Sequence, residues 1–198
     1  MNMKIKDHPQ DYLQRLEKVL KSIDRHKLAS LIEKIASFSK TDKTIFIAGN
    51  GGSASTASHM ACDLGKTVLI DSLGDKTYRL RVVSLTDNIP LMTALANDYG
   101  YEYIFSEQLK SFGRKGDMLI VLTGSGNSPN IIQAVLTAKS LGIQTYGLLG
   151  FKGGKVKDIL DDMLLIDSDN YGLVEDAHLV IDHLITEWFR NQNLNNGN

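Results

Sequence analysis

The chain has 198 residues, 42% hydrophobic and 23% charged, with a formal net charge of −1. That is the size of one ordinary globular domain, and the near-neutral balance excludes the broad field that would draw a protein to nucleic acid or an anionic membrane. A single cysteine, Cys62, excludes an intramolecular disulfide, and with no signal-peptide core and no apolar run of about 18 residues the expected location is the cytoplasm.

From Gln10 to Lys40 the apolar residues recur in helical steps: Leu13, Leu16, Leu20 and Ile23, then Leu28, Leu31, Ile32 and Ile35. A break at Ser22-Ile23 separates two helices, and Asp24 is the natural cap of the second. These helices are expected to pack on a sheet edge or against another subunit. After Lys43 the pattern changes to short apolar runs, at 44–48, 80–85, 117–122, 143–149 and 163–166. Continuous apolar runs that end at glycine suit strands buried on both faces of a parallel sheet. Helical stretches lie between and after them: 53–65, 88–112 with a break near Tyr99-Gly100, 128–141 and 172–192. Strand–helix alternation predicts an α/β fold, a three-layer αβα sandwich on a five-stranded, doubly wound parallel sheet. Residues 1–198 are read as one domain: a helical segment (1–40), an α/β core (41–190) and a polar tail (191–198) expected to fray.

Ligands in open α/β sheets bind at the carboxyl ends of the strands. Two strand ends here carry unusual turns that run straight into helices, Gly49-Asn50-Gly51-Gly52-Ser53-Ala54-Ser55 and Thr123-Gly124-Ser125-Gly126-Asn127-Ser128. Glycines let the backbone approach an anion, and serine hydroxyls with free helix-start amides donate to phosphate oxygens. Neither turn has the Gly-Lys-[Ser/Thr] of the Walker loop, and Ala54 stands where the dinucleotide fingerprint needs its third glycine. Asp87-Asn88, after the second strand, either contacts substrate or caps the next helix.

Polar residues mark two helix faces. His59 and Asp63 are one turn apart on the helix after the first turn, and Glu175 and His183 share one side of the last helix. His178 and Asp182 form another one-turn pair, read as solvated or mutually satisfied. Two histidines and two carboxylates are acceptable zinc ligands, and a carboxylate with a histidine can move a proton between adjacent carbons. Cys62 is read as a small buried hydrophobe, and Trp188 and Phe189 as core or interface aromatics.

Gly49-Asn50-Gly51-Gly52-Ser53-Ala54, His59, Asn97-Asp98-Tyr99-Gly100-Tyr101 and Thr123-Gly124-Ser125-Gly126-Asn127-Ser128 together resemble the sugar isomerase (SIS) domain, and more narrowly its phosphoheptose isomerase branch. The similarity runs in matching order over nearly the whole chain. It implies that Ser53, Thr123, Ser125 and Ser128 hold a sugar phosphate in a site shaped by Asn50 and Gly51. It implies Asp63 as the base carboxylate, His183 as the acid histidine, a zinc ion on His59, Asp63, Glu175 and His183, and a homotetramer with active sites between subunits. Two residues depart from the branch: Asp63 stands in place of its usual glutamate, and Glu175 in place of a glutamine, free to act as base or ligand. The activity so implied is isomerisation of sedoheptulose 7-phosphate to D-glycero-D-manno-heptose 7-phosphate through an enediol, for surface-glycan precursors. The alternatives are a non-catalytic scaffold or sensor that binds a phosphosugar or the replication initiator, and an SIS-type lyase acting on an amino-sugar phosphate. The departures at Asp63 and Glu175 favour the scaffold; His59 and His183 favour the enzyme.

Overall fold

The computed structural model describes residues 5–69 and 78–196. Five strands, β1 (Thr44–Gly49), β2 (Arg81–Ser84), β3 (Met118–Thr123), β4 (Gln144–Leu149) and β5 (Asp162–Leu165), form one parallel sheet in the order β2-β1-β3-β4-β5. The apolar runs of β1, β3 and β4 are buried almost throughout, and the short β2 and β5 form the edges. Successive residues of a strand face opposite ways, so each run feeds two cores. Ile45, Ile47, Ile120, Leu122, Tyr146 and Leu148 pack on one face, while Phe46, Ala48, Leu119, Val121 and Leu149 pack on the other.

Helices α1 (His8–Lys21), α2 (Arg25–Ala36), α3 (Gly52–Gly65) and α7 (Tyr171–Asn196) cover the first face. Helices α4 (Ile89–Asp98), α5 (Ser106–Phe112) and α6 (Pro129–Ser140) cover the second, giving the three layers expected. The break near Tyr99-Gly100 separates α4 from α5, with Gly100 at φ +111° and a 3₁₀ turn at Tyr101–Tyr103. Asp24 caps α2 by accepting from the amides of His26 and Lys27 at 2.9 and 3.0 Å. The N-terminal helices dock on the β5 side of this chain: Lys34 pairs with Asp162, and the Tyr12 hydroxyl donates to Asp176 of α7 at 2.6 Å. Among the described residues no helix is long and apolar enough to cross a membrane.

Three expectations are corrected. The last helix does not stop at residue 192, because α7 continues to Asn196. Asn193 is fully buried there; its amide nitrogen donates to the Val68 carbonyl at 2.6 Å and its oxygen accepts from the Tyr78 amide at 2.6 Å. Cys62 is exposed rather than buried. His178 and Asp182 are neither solvated nor paired with each other: both are buried, with the Leu149 backbone near His178 and the Thr186 hydroxyl near Asp182, neither in good hydrogen-bond geometry. Phe189 is a core residue, with Trp188 and Tyr78 packed edge-on around it.

Asn193→Ala strands the Val68 carbonyl and the Tyr78 amide in an apolar setting, and buried polar groups left unpaired cost about 1–3 kcal/mol. Urea denaturation is expected to show a loss of that size, whereas Asn191→Ala, on the exposed side of the same turn, should leave the midpoint unmoved.

Candidate active site

Because β1 and β3 are neighbours whose connections leave in opposite directions, the crevice at their carboxyl ends is the topological switch point of the sheet. Both glycine turns emerge there. In the first, Gly51 stands at φ +56°, a conformation only glycine adopts readily, and swings the chain into α3 with no side chain capping the helix start. A side chain at Gly52 would run into the carboxylate of Glu175, so glycine is what allows α7 to approach α3 this closely.

The second turn is held by its own side chains. The Thr123 hydroxyl accepts from the Gly126 amide at 3.1 Å, and the Ser125 hydroxyl accepts from the Asn127 amide at 3.3 Å. Ser128 caps α6 without a side-chain hydrogen bond to it, which leaves its hydroxyl available. The two turns are tied together by Asn130, which sequence reasoning missed. Its side-chain amide exchanges hydrogen bonds with that of Asn50, at 2.8 and 2.9 Å, and the Tyr101 hydroxyl donates to the Asn50 oxygen at 3.1 Å. A cavity of about 110 Å³ lies between the turns, lined by Asn50, Ser53, Thr123, Ser125, Ser128 and Glu175 among others. That is the bulk of roughly three to four waters, enough for a phosphoryl group.

Asp87 and Asn88 are not part of this cavity. The Asn88 oxygen caps α4 by accepting from the Leu91 amide at 3.1 Å, and Asp87 accepts from the hydroxyls of Ser58 and Thr86. Both line a larger groove of about 720 Å³ along β2, with Ser58, Cys62 and Arg81.

Farther along α3 and α7 the polar faces meet. The Nε2 atoms of His59 and His183 are 3.1 Å apart, and Asp63 lies 3.6 Å from His59 with its other oxygen accepting from the Thr67 hydroxyl at 2.9 Å. Asp182 joins them: one ligand atom from each of His59, Asp63, Asp182 and His183 lies within 4.8 Å of the others. Glu175, which the resemblance places in the metal set, is outside this group and lines the cavity between the turns. Asp182 was passed over because spacing assigned it to His178 on another side of α7; its position directly before His183 was the available signal. The donor set suits a divalent cation. Two imidazole nitrogens in contact need a proton or a positive ion between them, and two carboxylates balance a double charge. Burial, then the charge of Asp63, pushes the Asp182 carboxyl up to about 7, and burial holds the His178 imidazole down at about 4.

The family model described as the SIS domain matches residues 10–150. The phosphoheptose isomerase of Geotalea daltonii is 34% identical over 174 residues, 86% of this chain and 88% of that protein. The phosphoheptose isomerase of Aneurinibacillus thermoaerophilus is 37% identical over 189 residues, 93% and 91% of the two chains. Among solved structures, a phosphoheptose isomerase from Francisella tularensis superposes with a TM-score of 0.84 at 26% identity, covering 96% of this chain and all of that one.

The two buried groups of α7 act on stability in opposite senses. Between about pH 4 and the ordinary histidine value of 6.5, His178 binds a proton only in the unfolded chain, so its contribution is complete above that window and is lost as pH falls through it. Asp182 keeps its proton in the folded chain up to about 7 but loses it near 3.8 when unfolded, so its contribution is lost as pH rises. Each slope is at most about 1.4 kcal/mol per pH unit. Relative to metal-free wild type, denaturation of His178→Leu is expected to show stability falling as pH rises from 4 to 7. Asp182→Asn should show stability falling as pH drops from 6.5 to 4. Profiles parallel to wild type would place both groups at ordinary values.

Proposed function

The chain belongs to the SIS family and, within it, to the phosphoheptose isomerases, and from that membership we propose that it isomerises sedoheptulose 7-phosphate to a heptose 7-phosphate. The observation that carries the proposal is one helix joining two kinds of chemistry: α3 starts at the cavity between the glycine turns and carries the exposed His59 and the half-buried Asp63 one turn apart. His59 is seven residues beyond Gly52, about 10 Å of helical rise. An extended heptulose phosphate spans about 9 Å from phosphorus to C2, at roughly 1.25 Å of advance for each bond of about 1.5 Å. With the phosphate between the turns, the reacting carbons of a seven-carbon sugar reach the His59–Asp63–His183 group.

In this reading Ser53, Thr123, Ser125 and Ser128, with the first amides of α3, bind the phosphate, and Asn50, Gly51 and Asn130 keep the two turns at the spacing the anion needs. Asp63 takes the proton from C1 of the ketose and returns it at C2, and the Thr67 hydroxyl fixes the carboxylate for that transfer. His183 moves the proton between the two oxygens of the enediol, its ring steadied by contact with His59. Asp63 has one methylene less than the glutamate of the branch and must stand closer to the sugar to act. His59, Asp63 and His183 are the groups that would hold a zinc ion, which supplies polarisation of the carbonyl and hydroxyl oxygens when bound.

The same reading makes the protein a cytoplasmic enzyme of surface-glycan precursor synthesis and a homotetramer with active sites at subunit contacts. Val180 and Leu184, large apolar side chains half exposed on α7 near the site, are available to such a contact.

The test is turnover of sedoheptulose 7-phosphate followed as aldose product. Wild type is expected to be active, with kcat lowered about 10²–10⁴-fold in Asp63→Ala and in His183→Ala. Ser125→Ala should act chiefly on KM. A wild type that binds the phosphosugar without converting it overturns the isomerase in favour of a sensor.

A further inference from the structure

The ligand set suggested by family resemblance and the set the structure assembles differ by one residue, and the difference concerns two carboxylates on α7. Glu175 lies against Gly52 at the start of α3 and lines the cavity between the turns. Asp182 lies about two helical turns farther on, with its residue wholly inaccessible to solvent and the Thr186 hydroxyl, one turn beyond and not in good hydrogen-bond geometry, as its neighbour on the helix. A carboxylate in that setting holds its proton while no positive partner is near and ionises only against one, which a bound cation would supply. Among the described residues no lysine or arginine is paired with it. It approaches Asp63, His59 and His183 instead, with one ligand atom from each of the four within 4.8 Å of the others. The separations of 3.1 Å between the histidines and 3.6 Å from His59 to Asp63 are already close to the roughly 3.3 Å edge of a tetrahedron with zinc bonds of about 2.0–2.1 Å.

We propose that Asp182 is a metal ligand of this protein, completing a two-histidine, two-aspartate site with His59, Asp63 and His183, and that Glu175 is not. This rests on the metal reading of the site and goes beyond it in assigning the fourth donor. The assignment explains why a buried carboxylate without partners is kept directly before His183, where an apolar residue would serve the core equally well. It also has a chemical consequence. Four protein donors exceed the three that a catalytic zinc site needs, so Asp63 can turn to the substrate while Asp182 and the two histidines retain the ion. Glu175 stays with the sugar phosphate, close to the serine hydroxyls.

The experiment replaces candidate ligands with cysteine and uses cobalt(II) as the probe. Metal-free full-length wild type, Asp182→Cys and Glu175→Cys are titrated with cobalt(II) and followed by absorption. A sulfur-to-cobalt charge-transfer band is expected in Asp182→Cys and absent from Glu175→Cys; wild type, which retains the exposed Cys62, is the blank. Competition with a chromophoric chelator should show zinc affinity lowered at least 10-fold in Asp182→Asn and within about 3-fold of wild type in Glu175→Gln. Near-native far-UV circular dichroism and a cooperative melt in the metal-free variants exclude misfolding, and Asp182→Leu provides a second non-ligating variant. A cobalt band in Glu175→Cys with none in Asp182→Cys overturns the assignment in favour of Glu175. Absence of cobalt and zinc binding in wild type overturns the metal site as a whole, while sedoheptulose 7-phosphate turnover, measured separately, decides whether the isomerase reading fails with it.

Discussion

The parallel pairing of β1 with β3 is the constraint on which the site depends. In this register Gly49 lies opposite Leu122, so the two strands end almost level and their turns open side by side. Each turn by itself offers a few hydroxyls and amides at a helix start, a common arrangement. Side by side they enclose a cavity, and the reciprocal amide pair of Asn50 and Asn130 keeps its walls together. The pairing is in turn secured by apolar runs buried on both faces of the sheet, where a slip by one residue would exchange the two cores. The end of the site between the glycine turns is thus built from backbone geometry, and its tolerance for change is correspondingly small.

The other end is built from side chains on two helices that start at the same edge of the sheet. Both α3 and α7 follow strands and leave their carboxyl ends, so they run in the same direction, with Gly52 against Glu175 and, farther on, His59 against His183. The contact is apolar over most of its length, through Ala57, Met60 and Leu64 on α3 and Val174, Ala177, Ile181 and Ile185 on α7. Polar groups at the rim of such a contact are held by the packing beneath them. They therefore keep a fixed distance from the cavity between the turns, and in the proposed function that distance is the basis for choosing among sugars.

Most of the architecture was legible in the sequence because its two signals are strong. Short apolar runs marked all five strands, those of β1, β3 and β4 ending at glycine, and the helical periods marked α1 to α3, α6 and α7, with the break between α4 and α5 falling at Gly100. Helical spacing also made the His59–Asp63 pair legible on one face of α3, whereas its grouping with His183 came only from the family resemblance. What spacing cannot reveal is which faces become buried and which residues meet across elements. Asn130 is one more polar residue near a helix start until β1 and β3 are paired. Asp182 was grouped with His178 by the one-turn rule, yet the two are not hydrogen-bonded, and the residue Asp182 approaches lies on another helix. Asn193 looked like part of a polar tail because its partners, Val68 and Tyr78, are more than a hundred residues away.

In the proposed function the separation between the glycine turns and the histidine–aspartate group measures the sugar. The measurement that tests it most directly is kcat/KM for a series of ketose phosphates with five, six and seven carbons and the phosphate on the terminal carbon. A steep rise with chain length is expected, the seven-carbon substrate highest, with comparable competition by all of them at the phosphate subsite. Equal turnover of the five-carbon and seven-carbon sugars would contradict it.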